Sequence, residues 1–260
     1  MSPPLTNPPV YFTVAQVRFN TLLKLSEYLP SIQDGLRRTG YPAFTKQSSV
    51  AFQLNVQGGA EVPQPVPHEQ YFFADVAQTH SFVLNSDALT FQSTHYGNYE
   101  AFSEAFLKGL KLVHDIVKFD FTERVGLRYL DHVFPKAGEA LELYLAREVQ
   151  GLNTRLGGKA VHAFVETLNI VGEVHLRSRV LTKEGSLAFP PDLQPVGMAI
   201  EPRFTKVNGK HAIIDTDGFV QRRELFSLEG IVKHLNEIHN VISAAFRATV
   251  TPKALKVWDE

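Results

Sequence analysis

ERVGLRYLDHVF, residues Glu123 to Phe134, reads as a β-strand set between two helical patterns, and the fold follows from that setting. On its N-terminal side, Asn98 to Lys118 carries Phe102, Phe106, Leu110, Val113 and Val117 at steps of four, four, three and four, which is one apolar helical stripe. Glu100 and Glu104 precede Lys108, Lys111 and Lys118, the order that suits a helix dipole. On its C-terminal side, Glu139 to Gln150 reads as a second helix.

Working outward, VYFTVAQVRF (Val10 to Phe19) reads as a strand from its β-branched and aromatic residues. Thr21 to Arg38 follows as a helix with Leu22, Leu25, Leu29, Ile32 and Leu36 on one face, bent at Pro30 and stopped near Gly40. Ser48 to Val56, Tyr71 to Leu84 and Ala88 to His95 read as strands. The proline-punctuated run Gly58 to Pro67 reads as a surface loop and Asn85-Ser86-Asp87 as a turn. Beyond the central strand, Gly157-Gly158 breaks the chain, Val161 to Leu168 and Gly172 to Thr182 read as strands, and Gly185 to Gly197 is a second Pro/Gly loop. Ala199 to Lys206 and His211 to Val220 read as a hairpin around Asn208-Gly209. A long helix from Leu228 to about Ala248 carries Ile231, Leu235, Ile238, Ile242 and Phe246 and ends before Pro252. The expectation is an α+β protein of two similar halves, residues 1–122 and 123–260. Each is an antiparallel sheet against a long helix, the two packed as one compact unit, their likeness coming either from a tandem duplication or from the small number of sheet-plus-helix patterns. Val17-Arg18-Phe19 resembles Leu127-Arg128-Tyr129, and Val113-His114-Asp115-Ile116 resembles Ile238-His239-Asn240-Val241.

Three segments together resemble a sporadically distributed family of uncharacterised bacterial proteins of about this length. They are Asn7-Pro8-Pro9-Val10, the strand Arg124-Val125-Gly126-Leu127-Arg128-Tyr129-Leu130-Asp131, and the closing helix from Leu235 to Phe246 with His239. The resemblance implies a bacterial cytoplasmic protein and, from the patchy distribution, a defence or stress module. It implies no catalytic residue and no cofactor.

Composition narrows the chemistry. The 260 residues carry 26 Lys+Arg against 27 Asp+Glu, so no global field draws in nucleic acid or an anionic membrane. With no cysteine, disulfides, zinc–thiolate sites, iron–sulfur clusters and cysteine nucleophiles are excluded. The N-terminus has no signal-peptide pattern, and no apolar run approaches the ~20 residues of a membrane span, so the expected location is cytoplasmic. Gly157-Gly158-Lys159 lacks the first glycine and the following hydroxyl of a phosphate loop, and Asp215-Thr216-Asp217-Gly218 lacks a third calcium ligand and reads as a hairpin turn. His234 and His239 do not share a helix face, so no metal site and no catalytic set is assigned.

One constellation stands out. Strand alternation places Glu173, His175, Arg177 and Arg179 on one face, with Arg124, Arg128 and His132 alternating likewise and Arg18 as the counterpart of Arg128. This is either the solvated face of a sheet or an arginine-bearing surface for an anionic ligand, with Phe12, Tyr71, Phe91 and Tyr129 as stacking faces or as core. The expected role is a non-catalytic binding or interaction module with a protein partner or a second copy of the chain. The alternative is a small-molecule-binding protein or enzyme whose sheet-and-helix cavity is lined by Phe102, Phe106, Leu235 and Phe246, with His114 or His239 as its polar handle.

Overall fold

The computed structural model describes residues 5–57, 60–156, 160–193 and 195–260, the side chains of 49–68 and 153–154 excepted. The readings of Gly58-Gly59 as loop and Gly157-Gly158-Lys159 as a break lie outside the described residues.

Ten residues, Val10–Phe19, form β1, and the helix α1 (Leu25–Arg38) follows. Then come β2 (Ala43–Gln57), β3 (Ala60–Ala74), β4 (His80–Leu84), β5 (Ala88–Ser93) and α2 (Tyr99–Val117). The strand read as central is β6 (Phe121–Val133). After it come β7 (Ala163–Val171), β8 (Val174–Gly185), the short α3 (Pro202–Thr205), β9 (Gly209–Leu225), α4 (Leu228–Thr249) and α5 (Pro252–Asp259). The expected pair of sheets is one. All nine strands join antiparallel in the order β2-β3-β4-β5-β1-β6-β9-β8-β7, and β1 pairs with β6 at the middle. Among the described residues, no helix is long and apolar enough to cross a membrane.

The helical stripes settle on one face of this sheet. Ala15, Val17 and Phe19 of β1 and Val125, Leu127 and Tyr129 of β6 pack beneath Ile32 and Leu36 of α1, Phe106 and Leu110 of α2, and Leu235 and Ile238 of α4. The caps agree with the sequence signals: the Asn98 side chain accepts from the Ala101 N–H to start α2, and Ser227 accepts from Gly230 to start α4. Two glycines permit the closest approaches. A Cβ on Gly218 of β9 would lie 2.7 Å from Ile238 Cγ2, and one on Gly109 of α2 would lie 2.1 Å from Phe82 Cζ. Gly109→Ala adds the better helix former, a gain of ~1 kcal/mol, yet it drives a methyl into a fully buried ring. The expected net result is a loss of about 1–3 kcal/mol, read as a lower urea midpoint with unchanged slope.

Four local readings are corrected. Residues 139–150 are not an α-helix but 3₁₀ turns, Leu141–Leu143 and Arg147–Val149, because their backbone bonds go elsewhere. Leu145 bridges to Val250, Ala146 N–H donates to Thr249, and Thr251 N–H donates to Tyr144. The proline run from Ala60 onward is strand, paired with β2 along its length. Prolines at 63, 65 and 67 alternate, so their missing donors fall on one edge, and β3 has β4 as a second neighbour only from Tyr71 on. Asp215-Thr216-Asp217-Gly218 is the middle of β9 and no turn. Residues 199–206 form no hairpin arm, since Pro202 opens the short α3 instead.

The opposite face of the sheet is partly covered by the second Pro/Gly segment. Leu187, Phe189, Leu193 and Met198 pack over Tyr11, Phe12, Val14, Leu130 and Ile213. The Tyr11 hydroxyl donates to the Ala188 carbonyl at 2.8 Å and the Thr94 hydroxyl to the Ala199 carbonyl at 2.6 Å.

Candidate functional site

The arginine face exists, and it is already neutralised. Antiparallel register brings Arg128 of β6 and Arg177 of β8 opposite Asp217 of β9, with Arg179 opposite Asp215. Arg128 grips Asp215 with two nitrogens, Nε to Oδ1 at 2.7 Å and Nη2 to Oδ2 at 2.8 Å, and reaches Asp192 of the covering segment at 2.8 Å. Arg179 donates to Glu166 at 2.6 Å and to the same Asp215 at 3.2 Å. Arg124 donates to Gln16 at 3.1 Å and lies over the Phe219 ring, whose other contact is the stacked imidazole of His175. Arg18 stands at the margin, paired with Asp87 at 2.9 Å and half exposed. Arg177 faces Asp217 and makes no side-chain bond among the described residues. Four arginines, Arg124, Arg128, Arg177 and Arg179, thus stand among Asp215, Asp217, Asp192 and Glu166. Little positive charge is left for an anion.

Glu173 does not join this face. It sits in the turn between β7 and β8, and its carboxylate lies near His234 and Glu237 of α4. Phe12, Tyr71, Phe91 and Tyr129 are all buried, so none offers an open stacking surface. Along the outer strand β7, Phe164, Leu168 and Ile170 remain exposed.

A different site lies on the helix-covered side. The chain before β1, the N-terminal end of α2, the β6 residues Tyr129 and Asp131, and the C-terminal half of α4 enclose a cavity of about 530 Å³. Pro8, Pro9, Val10, Ile242 and Phe246 supply apolar wall. Tyr129 and Asp131 are two apart on β6 and share a face, so the alternation that sends Arg128 and Leu130 to the arginine side sends these two inward. The Tyr96 and Tyr129 hydroxyls are 3.2 Å apart, and Tyr129 Oη is 3.3 Å from His239 Nδ1. Tyr99 stacks on the His239 ring at 3.9 Å and donates its hydroxyl to Asn236 at 2.8 Å. Burial holds both Tyr129 and Tyr96 hydroxyls protonated and pushes the His239 imidazole down, so the chain Tyr96–Tyr129–His239 is neutral at pH 7.

Asp131 is neutral at pH 7 as well, although a carboxyl is ordinarily ionised there. Burial, with the Asp215 carboxylate across the sheet, pushes its carboxyl up to about 8. Among the described residues no side-chain donor reaches it. Arg247, which lines the same cavity, also has no acidic partner among the described residues. A buried acid and a guanidinium, unpaired among the described residues, thus lie in one apolar-walled hollow.

No family model, curated protein or solved structure matches the chain. The geometry alone therefore carries the functional argument. All three segments quoted for the family resemblance meet at this cavity, through Pro8 to Val10, Tyr129 and Asp131, and His239 to Phe246. Of the residues expected to line a cavity, His239 and Phe246 do. Phe102, Phe106 and Leu235 are packed in the core, and His114 stacks on Phe226 while accepting the Phe119 N–H at 3.1 Å. Sequence reasoning missed Tyr96, Tyr99, Asp131 and Arg247. The available signal was Asp131 itself, an acid that follows Val125, Leu127 and Tyr129 at alternate positions of the strand.

Proposed function

We propose that the protein is a small-molecule-binding module of the bacterial cytoplasm, and that its ligand is a compact zwitterion with an apolar body. The observation that supports this most directly is the pairless Asp131 and Arg247 in one cavity. An ammonium group against Asp131 restores the carboxylate that burial suppresses, and an anionic group meets the Arg247 guanidinium. The neutral Tyr96–Tyr129–His239 chain then orients polar atoms between the two ends, with Pro9, Ile242 and Phe246 against the apolar body. The reading is one of binding: among the described residues the His239 imidazole is engaged by Tyr129 and Tyr99, and no hydrogen bond joins it to the cavity's Ser243.

The same proposal gives the two halves one plan. Its support is the strand order, in which β1 and β6 pair edge to edge at the centre and each half closes with a long helix, α2 or α4.

Thermal shift tests the function. Amphipathic α-amino acids and aminoalkyl phosphates are expected to raise the melting temperature at millimolar concentration, whereas their decarboxylated or deaminated counterparts give a much smaller rise. Asp131→Asn and Arg247→Gln are each expected to weaken binding by about tenfold or more. A response that survives both substitutions places the ligand elsewhere and ends this reading.

A further inference from the structure

On another flank of α4, away from the cavity, the His234 side chain is 6% exposed. Its Nε2 lies 2.6 Å from Glu224 Oε1 at the end of β9. With Nε2 facing that carboxylate, Nδ1 is the ring nitrogen left for a further partner. That Nδ1 is buried and has no hydrogen-bond partner. Glu237 Oε2 stands 3.6 Å from it, too far for a hydrogen bond. Glu173, brought over by the β7–β8 turn, adds a third donor atom, and one ligand atom from each of Glu173, His234 and Glu237 lies within 4.8 Å of the others. Two carboxylates and an imidazole nitrogen gathered this closely, with that nitrogen buried and unbonded, suit a cation between them.

The geometry points to a divalent transition-metal site formed by His234 Nδ1, Glu237 and Glu173, with Glu224 as the positioning residue behind the imidazole. His234 and Glu237 are three apart on α4 and share its face, which is ligand spacing on a helix. The carboxylate behind the ring fixes its tautomer and raises its basicity, an arrangement that recurs behind metal-bound histidines. One imidazole and two carboxylates suit zinc, iron(II) or manganese better than the all-oxygen preference of calcium or magnesium, and three protein ligands leave a position for water. Two cations flank the site: Arg222, whose Nη1 is 3.2 Å from Glu173 Oε1, and Lys233, 3.9 Å from Glu237. Each contact engages Oε1 of its carboxylate, and the Glu237 oxygen nearest the ring is Oε2. The site is independent of the cavity reading, because Asp131 and Arg247 take no part in it.

The test is calorimetric titration of zinc chloride into the full chain after chelator treatment and dialysis, with X-ray absorption on the loaded protein. The expected result is one zinc per chain, with one nitrogen and otherwise oxygen neighbours at about 2.0–2.2 Å. Glu173→Gln and Glu237→Gln lie at the surface, keep the fold, and are expected to weaken zinc at least tenfold each. Glu224→Gln is expected to weaken it about 10–100-fold without changing the stoichiometry. Absence of stoichiometric binding overturns the site. So does zinc binding that is unchanged in the Glu173→Gln/Glu237→Gln double variant, or a spectrum without an imidazole neighbour.

Discussion

Asp131→Asn is expected to stabilise the protein at alkaline pH and to leave it unchanged in acid. A carboxyl raised to about 8 in the fold, against ~3.9 in an unfolded chain, is favoured there as the neutral acid. The sign follows from proton counts. Between pH 4 and pH 8 the folded state holds a proton that the unfolded state has released, so stability falls as pH rises through that window. Below pH 4 both states are protonated and no penalty exists; above pH 8 both are ionised and the penalty is constant. Four units of separation correspond to a penalty on the order of 5 kcal/mol, which asparagine avoids at every pH. Melting curves are expected to coincide near pH 4 and to separate by on the order of 10 °C at pH 9, the variant being higher. A melting difference that is flat from pH 5 to pH 9 contradicts the buried neutral acid. Where a zwitterion saturates the cavity, its ammonium offsets the penalty, and the gap between wild type and variant narrows.

Arg128→Met carries the largest expected loss. Arg128 is 11% exposed, and the Asp215 carboxylate that it clamps is 5% exposed, so the substitution strands a buried charge with Arg179 as its one remaining direct partner among the described residues. It also frees Asp192, the ionic tether of the covering segment. Breaking one side of a buried pair costs about 3–5 kcal/mol, whereas removing both sides is much cheaper. The double variant Arg128→Met/Asp215→Leu is therefore expected to recover most of the loss, since Arg179 keeps Glu166 at 2.6 Å. Denaturant midpoints for the single and double variants decide the matter. Equal instability of the two shows that lost packing, and not the stranded charge, sets the cost.

What the sequence made legible was whatever depends on period. The stripes of α2 and α4 and the alternation of Arg177 and Arg179 against Val180 follow from side-chain direction, which near neighbours determine. What stayed hidden depended on distant partners. Leu141, Tyr144 and Leu145 satisfy helical spacing, yet a bridge to Val250 takes the backbone away from the helix. The arginine face was found, but its neutral character was not, because Asp215 and Asp217 read locally as a turn while register sets them beside Arg179, Arg128 and Arg177. The cavity draws on the chain before β1, on β6, and on two helices far apart in sequence. His239 and Phe246 were visible as candidates, and Asp131 was not, since its meaning lies in what fails to reach it.

The missing side chain at Gly218 sets the headroom under α4. A methyl there would stand 2.7 Å from Ile238 Cγ2 and 3.1 Å from Ile242 Cδ1, and Ile242 is part of the cavity wall. Such a methyl would act as a shim, prising the helix off the sheet at the point where Ile242 meets the hollow. Glycine at this one position is thus the gauge that sets how tall the hollow beside Ile242 stands.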